Sequence, residues 1–188
     1  MKNKGKHQIA FAWTGILGAL CFLIAWAAAA AADPSWTLGE DWVSDLGTSD
    51  ASSAYFKAGC AVAGILIVAF GAGNVAYGRN AGHEVGGAIL IAAGLAALAI
   101  ASPIEGDAHA AAAYCLAILL GAAAASIAAG NWAAGRHATA GVAMVMVIGA
   151  AAAVAAHPLV LAEPYVLIVA AAWISIEGVR MILDKGKD

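Results

Sequence analysis

Six long apolar stretches, each bounded by polar or turn residues, follow one another along the chain. A helix needs about 20 residues to cross a hydrocarbon layer about 30 Å thick, because it rises about 1.5 Å per residue. Membrane-spanning strands would be about half as long and would alternate polar with apolar residues, and this alternation is missing. The pattern therefore predicts six transmembrane helices, at residues 8–32, 56–77, 85–101, 110–131, 139–157 and 165–183.

The composition supports a protein that is embedded in lipid. Of the 188 residues, 63% are hydrophobic and 11% are charged, and the mean hydropathy is +0.86. A soluble domain of this size cannot hide so much apolar surface in one core. The net charge of -3 provides no basic surface for nucleic acid. We expect an all-α, polytopic membrane protein, with residues 1–188 forming a single domain, a compact bundle of six helices.

The first apolar stretch has two interpretations. Lys2, Lys4 and Lys6 precede a run that ends in the alanine tract at residues 27–32. A basic start followed by an apolar core is also the pattern of a cleaved secretory signal. Because the run exceeds the roughly 7–15 residues of a typical signal core, we expect it to be retained as the first helix.

The basic residues predict the orientation, because cells keep lysine and arginine on the cytoplasmic side of short loops. If six helices alternate, only Lys57 lies on the opposite side. We therefore expect a multi-pass protein of the cell membrane with both termini in the cytoplasm and the long connection, residues 33–55, outside. The residues on the cytoplasmic side are Lys2, Lys4, Lys6, Arg79, Arg136, Arg180, Lys185 and Lys187.

Glycine and alanine fill the predicted spans. Small residues allow helix backbones to approach closely where lipid supplies no hydrophobic drive for association. This favours a tight bundle over a wide pore. The glycines that we expect at packing surfaces are Gly59, Gly64, Gly71, Gly86 and Gly94.

The long external connection carries signals for a short helix. Thr37 and Glu40 have capping-box spacing, in which each side chain satisfies the other residue's backbone N–H. Apolar residues follow, which predicts a short helix at the membrane interface that ends at Gly47. A second polar cluster, residues 48–50, is expected to cap helix 2.

All three external connections bring a histidine or a carboxylate to one membrane face. Asp45, His109 and His157 are of the types that bind zinc or act as general acids and bases. In an enzyme, they would hold a divalent metal such as zinc, whose bound water would be the nucleophile of a metal-assisted hydrolase. No tight metal-binding spacing is present, so loop polarity, with Asp107 capping helix 4, is the plainer interpretation. The other candidate ligand-binding residues of this rim are Ser44, Lys57, Glu105, Asp107 and Glu163.

Lys57 is the one basic residue that breaks the orientation rule. A salt bridge to Asp45 or Asp50 would make its position tolerable. A bound anionic lipid headgroup would do so equally well. The sequence leaves both interpretations open.

A second polar set lies near the cytoplasmic ends of the helices and includes His83. Asn74, Glu84 and Glu177 would line a polar path if their side chains faced one another inside the bundle, as in a small transporter or channel. Glu177 and Arg180 are three residues apart and therefore share a helix face, so an interfacial ion pair is the alternative. No span carries a charge at its midpoint, which argues against a proton pump or a voltage sensor.

Residues 42–47, with the sequence WVSDLG, are followed at 53–56 by SAYF. This pattern resembles the prokaryotic membrane family catalogued as domain of unknown function 998. The resemblance implies six helices, an S-D-L-G signature after helix 1, and an acidic and histidine-containing segment at the start of helix 4, at residues 103–109. The family's usual asparagine after the phenylalanine is Lys57 in this chain. The resemblance implies a fold and a topology, and no reaction.

Three functional hypotheses follow. The leading one is a protein that binds or processes a lipid or other amphiphile at the outer interface, with membrane lipids as its partners. The second is the small transporter or channel. The third is a structural subunit that packs against further copies of itself or against other proteins of a membrane complex. Nucleic acid is not an expected partner.

Overall fold

The computed structural model describes residues 2–104 and 106–184. No strand occurs in this part of the chain, and a short 3-10 helix, Val43–Gly47, lies in the long connection between α1 and α2. We call it the loop helix. The six long helices are α1 (Lys2–Ala32), α2 (Ser53–Tyr77), α3 (Ala81–Ala101), α4 (Gly106–Ala133), α5 (His137–Ala156) and α6 (Leu159–Leu183).

Each of the six helices is long and apolar enough to cross a membrane. The protein is therefore a multi-pass membrane protein, and the predicted all-α bundle is confirmed. The predicted ends differ most at the starts of α1 and α6, each of which begins six residues earlier than predicted, and α6 continues through Pro164. Membrane helices tolerate such a proline, because it removes only one backbone donor and neighbouring groups satisfy the freed carbonyl.

The helices form a ring in chain order. Each helix packs against the next one in the sequence, and contacts between α1 and α6 close the ring. Near one end of the bundle, the Gln8 side chain donates a hydrogen bond of 3.0 Å to the Met181 carbonyl. We call this end the terminal face. The opposite end, where the loop helix contacts α1, α2 and α6, is the loop face.

Glycines bring α2 and α3 into backbone contact at two levels. A Cβ atom on Gly64 would lie 2.8 Å from the Gly94 carbonyl oxygen, and one on Gly71 would lie 2.6 Å from that of Gly87. Both contacts are reciprocal, since a Cβ on Gly94 or Gly87 would meet the facing carbonyl at 2.7 Å. Antiparallel helices can pack this closely only where both carry glycine.

Gly59 and Gly86 serve the same purpose elsewhere in the bundle. A Cβ on Gly59 would overlap Ala25 of α1, and one on Gly86 would lie 2.4 Å from a side-chain carbon of Ile127 in α4. All five glycines that the sequence assigned to packing surfaces are confirmed. Helix α5 is the exception to this close packing, because its only buried residues are Ala140 and Ala143.

The loop helix ends at Gly47, as predicted, but its predicted start was wrong. The backbone N–H of Thr37 donates to the Asp41 carboxylate at 2.8 Å, so the residues expected to form a capping box form a separate turn. The N–H of Trp42 donates to the Asp45 carboxylate at 3.2 Å. Asp45 therefore caps the loop helix, because its carboxylate accepts the hydrogen bond from the backbone N–H of Trp42 at the start of the helix.

The predicted cap of α2 was also wrong. Helix α2 begins at Ser53, and its N-cap residue Ser52 makes no side-chain hydrogen bond to the helix. The Ser49 hydroxyl instead donates to Asp33, and only the Ser49 backbone carbonyl accepts a hydrogen bond from the Ser53 N–H. The Ser49 hydroxyl is therefore oriented towards the buried Asp33 carboxylate and does not cap the helix.

Candidate functional site

The loop helix covers the loop face with its apolar side. Val43 and Leu46 are completely buried there. Gly47 lies against Phe56 and His109, and a Cβ at this position would approach their ring atoms to 3.1 and 3.3 Å. The Leu-Gly half of the S-D-L-G signature is therefore explained by packing, because a bulky apolar residue and then a residue without a side chain are needed.

Two side chains from other helices hold the backbone of the loop helix. The Val43 N–H donates to the carboxylate of Glu163 in α6 at 2.6 Å. His109 in α4 places Nε2 3.2 Å from the Ser44 carbonyl oxygen, so Nε2 carries a proton and donates. The Nδ1 atom of His109 is buried and has no partner among the described residues. These bonds join residues that are 65 or more positions apart in the chain.

Removing the Glu163 carboxylate should release the loop helix locally. A hydrogen bond to a charged group contributes about 1.5–3 kcal/mol, so Glu163→Ala should speed amide exchange at residues 43–47 by about ten- to a hundredfold. Hydrogen exchange followed by mass spectrometry measures this, with exposed Glu40→Ala as the matched control. Unchanged exchange at 43–47 in Glu163→Ala would contradict the anchoring role.

A buried carboxylate organises the start of the long connection. Asp33, which is 6% exposed, accepts hydrogen bonds from the N–H and hydroxyl of Ser35 at 3.1 and 2.5 Å, and from the hydroxyl of Ser49. These bonds, chiefly those from Ser35, lower the pKa of Asp33 below its usual range. Ser52 donates to the Leu46 carbonyl at 2.9 Å, which links this carboxylate cluster to the loop helix.

The three residues proposed for a metal site differ in their hydrogen-bond partners and in their exposure. Asp45 is exposed and caps the loop helix, while His157 is exposed and forms the C-terminal cap of α5. The Nε2 of His109 is already engaged by the Ser44 carbonyl. Within residues 2–104 and 106–184, no three His, Cys, Asp or Glu side chains form a group able to hold a metal ion. These donors do not fit a zinc centre.

The other residues of the predicted rim do not form one site either. Asp107 is exposed in the first turn of α4, and Lys57 is half-buried in α2. No ion pair joins Lys57 to Asp45 or Asp50 among the described side chains. Glu105 lies outside the described residues.

An apolar cleft lies inside the ring of helices and was not predicted. Five helices line it, and α5 does not contribute. Phe22 in its wall packs edge-on against Phe56, with ring centroids 6.2 Å apart, and Phe56 in turn contacts Gly47. The cleft is thereby connected to the loop helix. Its wall includes Phe22, Ala63, Leu116, Leu120, Leu167 and Ala171.

The terminal face carries a buried polar cluster, which we call the polar junction. His83, Asn131 and Glu177, from α3, α4 and α6, are each at most 1% exposed. The Nε2 of His83 is 3.0 Å from the Asn131 side-chain oxygen, and the Asn131 amide nitrogen donates to Glu177 at 3.3 Å. Asn80 completes the junction, with its side-chain oxygen 2.9 Å from the Nδ1 of His83. Three helices are thus joined by side-chain hydrogen bonds.

Two arginines and two carboxylates border the junction. Arg180 contacts Glu177 at 2.5 Å, which confirms the predicted ion pair, and also contacts Asp184 at 2.8 Å. Arg136, in the connection between α4 and α5, contacts Asp184 at 2.7 Å. Burial lowers the pKa of Arg136. A carboxylate shared between two guanidinium groups offsets this desolvation, so both arginines stay paired.

The residues of the transport hypothesis split between two environments. Asn74 and Glu177 are buried, whereas Glu84 is exposed. The Asn74 amide donates to the Phe70 carbonyl, and its side-chain oxygen has no partner among the described residues. Asn74 borders a small cleft beside His83 and Arg180, with room for about one water molecule. The three residues therefore do not line one path.

Sequence reasoning named His83, Glu177 and Arg180 but missed the other residues of the junction and of its border. Asn80, Asn131, Arg136 and Asp184 were not candidates, because the segments that hold them were interpreted as turns or helix ends. Their common signal is a position at the terminal ends of the helices. That signal is weak, since polar residues at helix ends ordinarily face water or headgroups.

Comparison with known proteins gives one match. The family model with the description "Protein of unknown function (DUF998)" matches residues 16–180. This segment includes the loop helix, the apolar cleft and the polar junction. No curated protein and no solved structure matches the chain.

Proposed function

Because this chain belongs to the membrane protein family described as Protein of unknown function (DUF998), we propose a function from its own geometry: it binds a membrane lipid at the loop face. The hydrocarbon chain of the lipid would occupy the apolar cleft, and its headgroup would lie beside the loop helix. The apolar cleft is the observation that carries the proposal. Its lining is almost entirely hydrocarbon, and it lies within the spans, where acyl chains are the solvent.

The surroundings of the cleft support a lipid over a freely diffusing ligand. The wall residues come from the middle and the loop-face half of α1, α2, α4 and α6, so an occupant would lie at the depth of the bilayer interior. An apolar occupant needs few hydrogen bonds, and the cleft wall offers almost none. An acyl chain meets both conditions.

Lys57 would recognise the headgroup. It is half-buried in the second turn of α2, on the loop face. It forms no ion pair with Asp45 or Asp50. An ammonium group at the membrane interface attracts anionic phosphate. The lipid class proposed is therefore an anionic phospholipid. The distribution of basic residues supports placing the loop face outside the cell membrane and the terminal face in the cytoplasm.

Filling the cleft should expel the lipid. Ala63 lines the cleft and is 2% exposed, so Ala63→Leu would take the place of about two acyl methylenes. At about 0.8 kcal/mol per buried methylene, affinity should fall about tenfold. Native mass spectrometry of the purified protein, with phosphatidylglycerol added to the detergent, measures the bound fraction.

Two controls make this test specific. Ala58→Leu changes the same helix at an exposed position and should leave the bound fraction unchanged. Lys57→Gln should reduce binding of phosphatidylglycerol but not of phosphatidylcholine. Equal lipid occupancy in Ala63→Leu and Ala58→Leu would refute the proposal.

A further inference from the structure

The direction of two amide groups restricts which protonation states of His83 can form hydrogen bonds on both ring nitrogens. The side-chain nitrogen of Asn80 donates to the Gly130 carbonyl at 2.8 Å, so its oxygen is the atom that faces His83. The same oxygen accepts the backbone N–H of His83 at 3.3 Å. The atom 2.9 Å from Nδ1 of His83 is therefore an acceptor and has no proton to give.

The other ring nitrogen also meets an acceptor. Asn131 uses its amide nitrogen for Glu177, at 3.3 Å, and so turns its oxygen to Nε2 of His83 at 3.0 Å. An N–H of Arg136 points to that same oxygen at 3.4 Å. A neutral imidazole has only one N–H, so one of the two contacts would place an oxygen against a nitrogen lone pair.

We propose that His83, Asn131 and Glu177 bind one proton as a unit. In the observed arrangement, His83 carries a proton on each nitrogen, and Glu177 is ionised. If the Asn131 amide turned over, its nitrogen would donate to a neutral His83, and its oxygen would need a protonated Glu177. Both arrangements hold one proton more than a neutral imidazole with a carboxylate. The Arg136 N–H favours the observed one, because turning would bring the amide nitrogen against it.

The charged groups around His83 pair largely with one another. Glu177 and Arg180 in α6 pair with each other, and Asp184 pairs with Arg136 and Arg180. Arg79, before α3, borders the cleft beside His83. From the helices on the other sides, α1 and α2 contribute Gln8, Asn74 and Tyr77 to this cleft, none of them charged at neutral pH.

Loss of the proton would change how three helices are joined. His83 links α3 to α4, and Asn131 links α4 to α6. Without the proton, His83 keeps only one N–H, so either Nδ1 with Asn80 or Nε2 with Asn131 becomes a contact between two acceptors at a completely buried side chain. The polar junction is thus a proton-dependent connection at the terminal face, independent of lipid binding at the loop face.

Nitrogen NMR of protein labelled with 15N-histidine in detergent micelles tests the proposal. The His83 signal is identified by its loss in His83→Gln or, should that variant not fold, by its shift in Glu177→Gln. Both ring nitrogens of His83 should be protonated at pH 7. A neutral His83 with a protonated Glu177, detected as a carboxylic acid infrared band that Glu177→Gln removes, also supports the unit. A neutral His83 with an ionised Glu177 overturns it.

A stability measurement provides the second readout. The thermal midpoint of the wild type should fall as the pH is raised from 7 to 9, because the proton bound only in the folded state is lost. His83→Gln should remove this fall. His157→Gln, at an exposed helix end, should keep it. An equal fall in all three proteins would overturn the proposal.

Discussion

Replacing Arg180 with leucine is expected to destabilise the protein more than any other change considered for this chain. Arg180 donates to Glu177 at 2.6 and 2.5 Å and to Asp184 at 2.8 Å. Glu177 is only 1% exposed, so Arg180→Leu would leave a buried carboxylate without its cation. Breaking a buried pair in this way costs about 3–5 kcal/mol of unfolding free energy. Unfolding in mixed micelles, followed by tryptophan fluorescence, measures the loss.

The double variant separates the pair from the packing. Glu177→Leu with Arg180→Leu removes both charges and leaves Asp184 paired with Arg136. Because no uncompensated carboxylate remains, the double variant should be more stable than Arg180→Leu alone. If the loss of stability in the double variant equalled the sum of the losses in Glu177→Leu and Arg180→Leu alone, Glu177 and Arg180 would not be energetically coupled. The role assigned to the ion pair would then be wrong.

The second large effect is expected at the contact between α2 and α3. In Gly71→Ala, the new methyl group would lie 2.6 Å from the Gly87 carbonyl oxygen and 2.8 Å from the Ile91 nitrogen. Both neighbours are backbone atoms and cannot rotate away, so the two helices must separate. Overpacking of this kind costs about 1–3 kcal/mol, and the thermal midpoint in detergent should fall accordingly.

Gly121→Ala is the matched control, because it is the same substitution in a membrane-spanning helix. Apart from its own stretch of helix, no described part of the chain comes within 4 Å of a Cβ at Gly121. Alanine is a better helix former than glycine by up to about 1 kcal/mol, so this variant should equal or exceed the wild type in stability. A loss at Gly121 as large as at Gly71 would show that helix contact is not the cause.

The helices were predictable because each depends on its own stretch of sequence. A run of apolar residues must satisfy its backbone hydrogen bonds within itself when lipid surrounds it, so length and hydropathy fix the helix. Gly64, Gly71 and Gly94 could equally be assigned to helix contacts from the sequence, since small residues in a membrane span allow helices to pack closely. The missed Gly87 faces Gly71 across α2 and α3, and such pairing depends on helix register.

The candidate site was less predictable because it depends on directions that side chains take in space. Asp45, His109 and His157 belong to elements that meet at the loop face of the bundle, but His109 hydrogen-bonds to the Ser44 carbonyl, while His157 stays exposed. Residue type showed that each was able to bind a metal. It did not show which groups already had partners within the fold.

The sequence alone determined that this chain is a bundle of six membrane helices, a member of its family, with a loop helix that ends at Gly47. The tertiary structure alone decided that His83, Asn131 and Glu177 meet, and that an apolar cleft lies within the ring. The physical reason is the distance along the sequence between the residues that determine each feature. Helix formation in lipid is a local property of about 20 consecutive residues. The junction joins residues 46 and 48 positions apart, whose meeting depends on how whole helices rotate and pack.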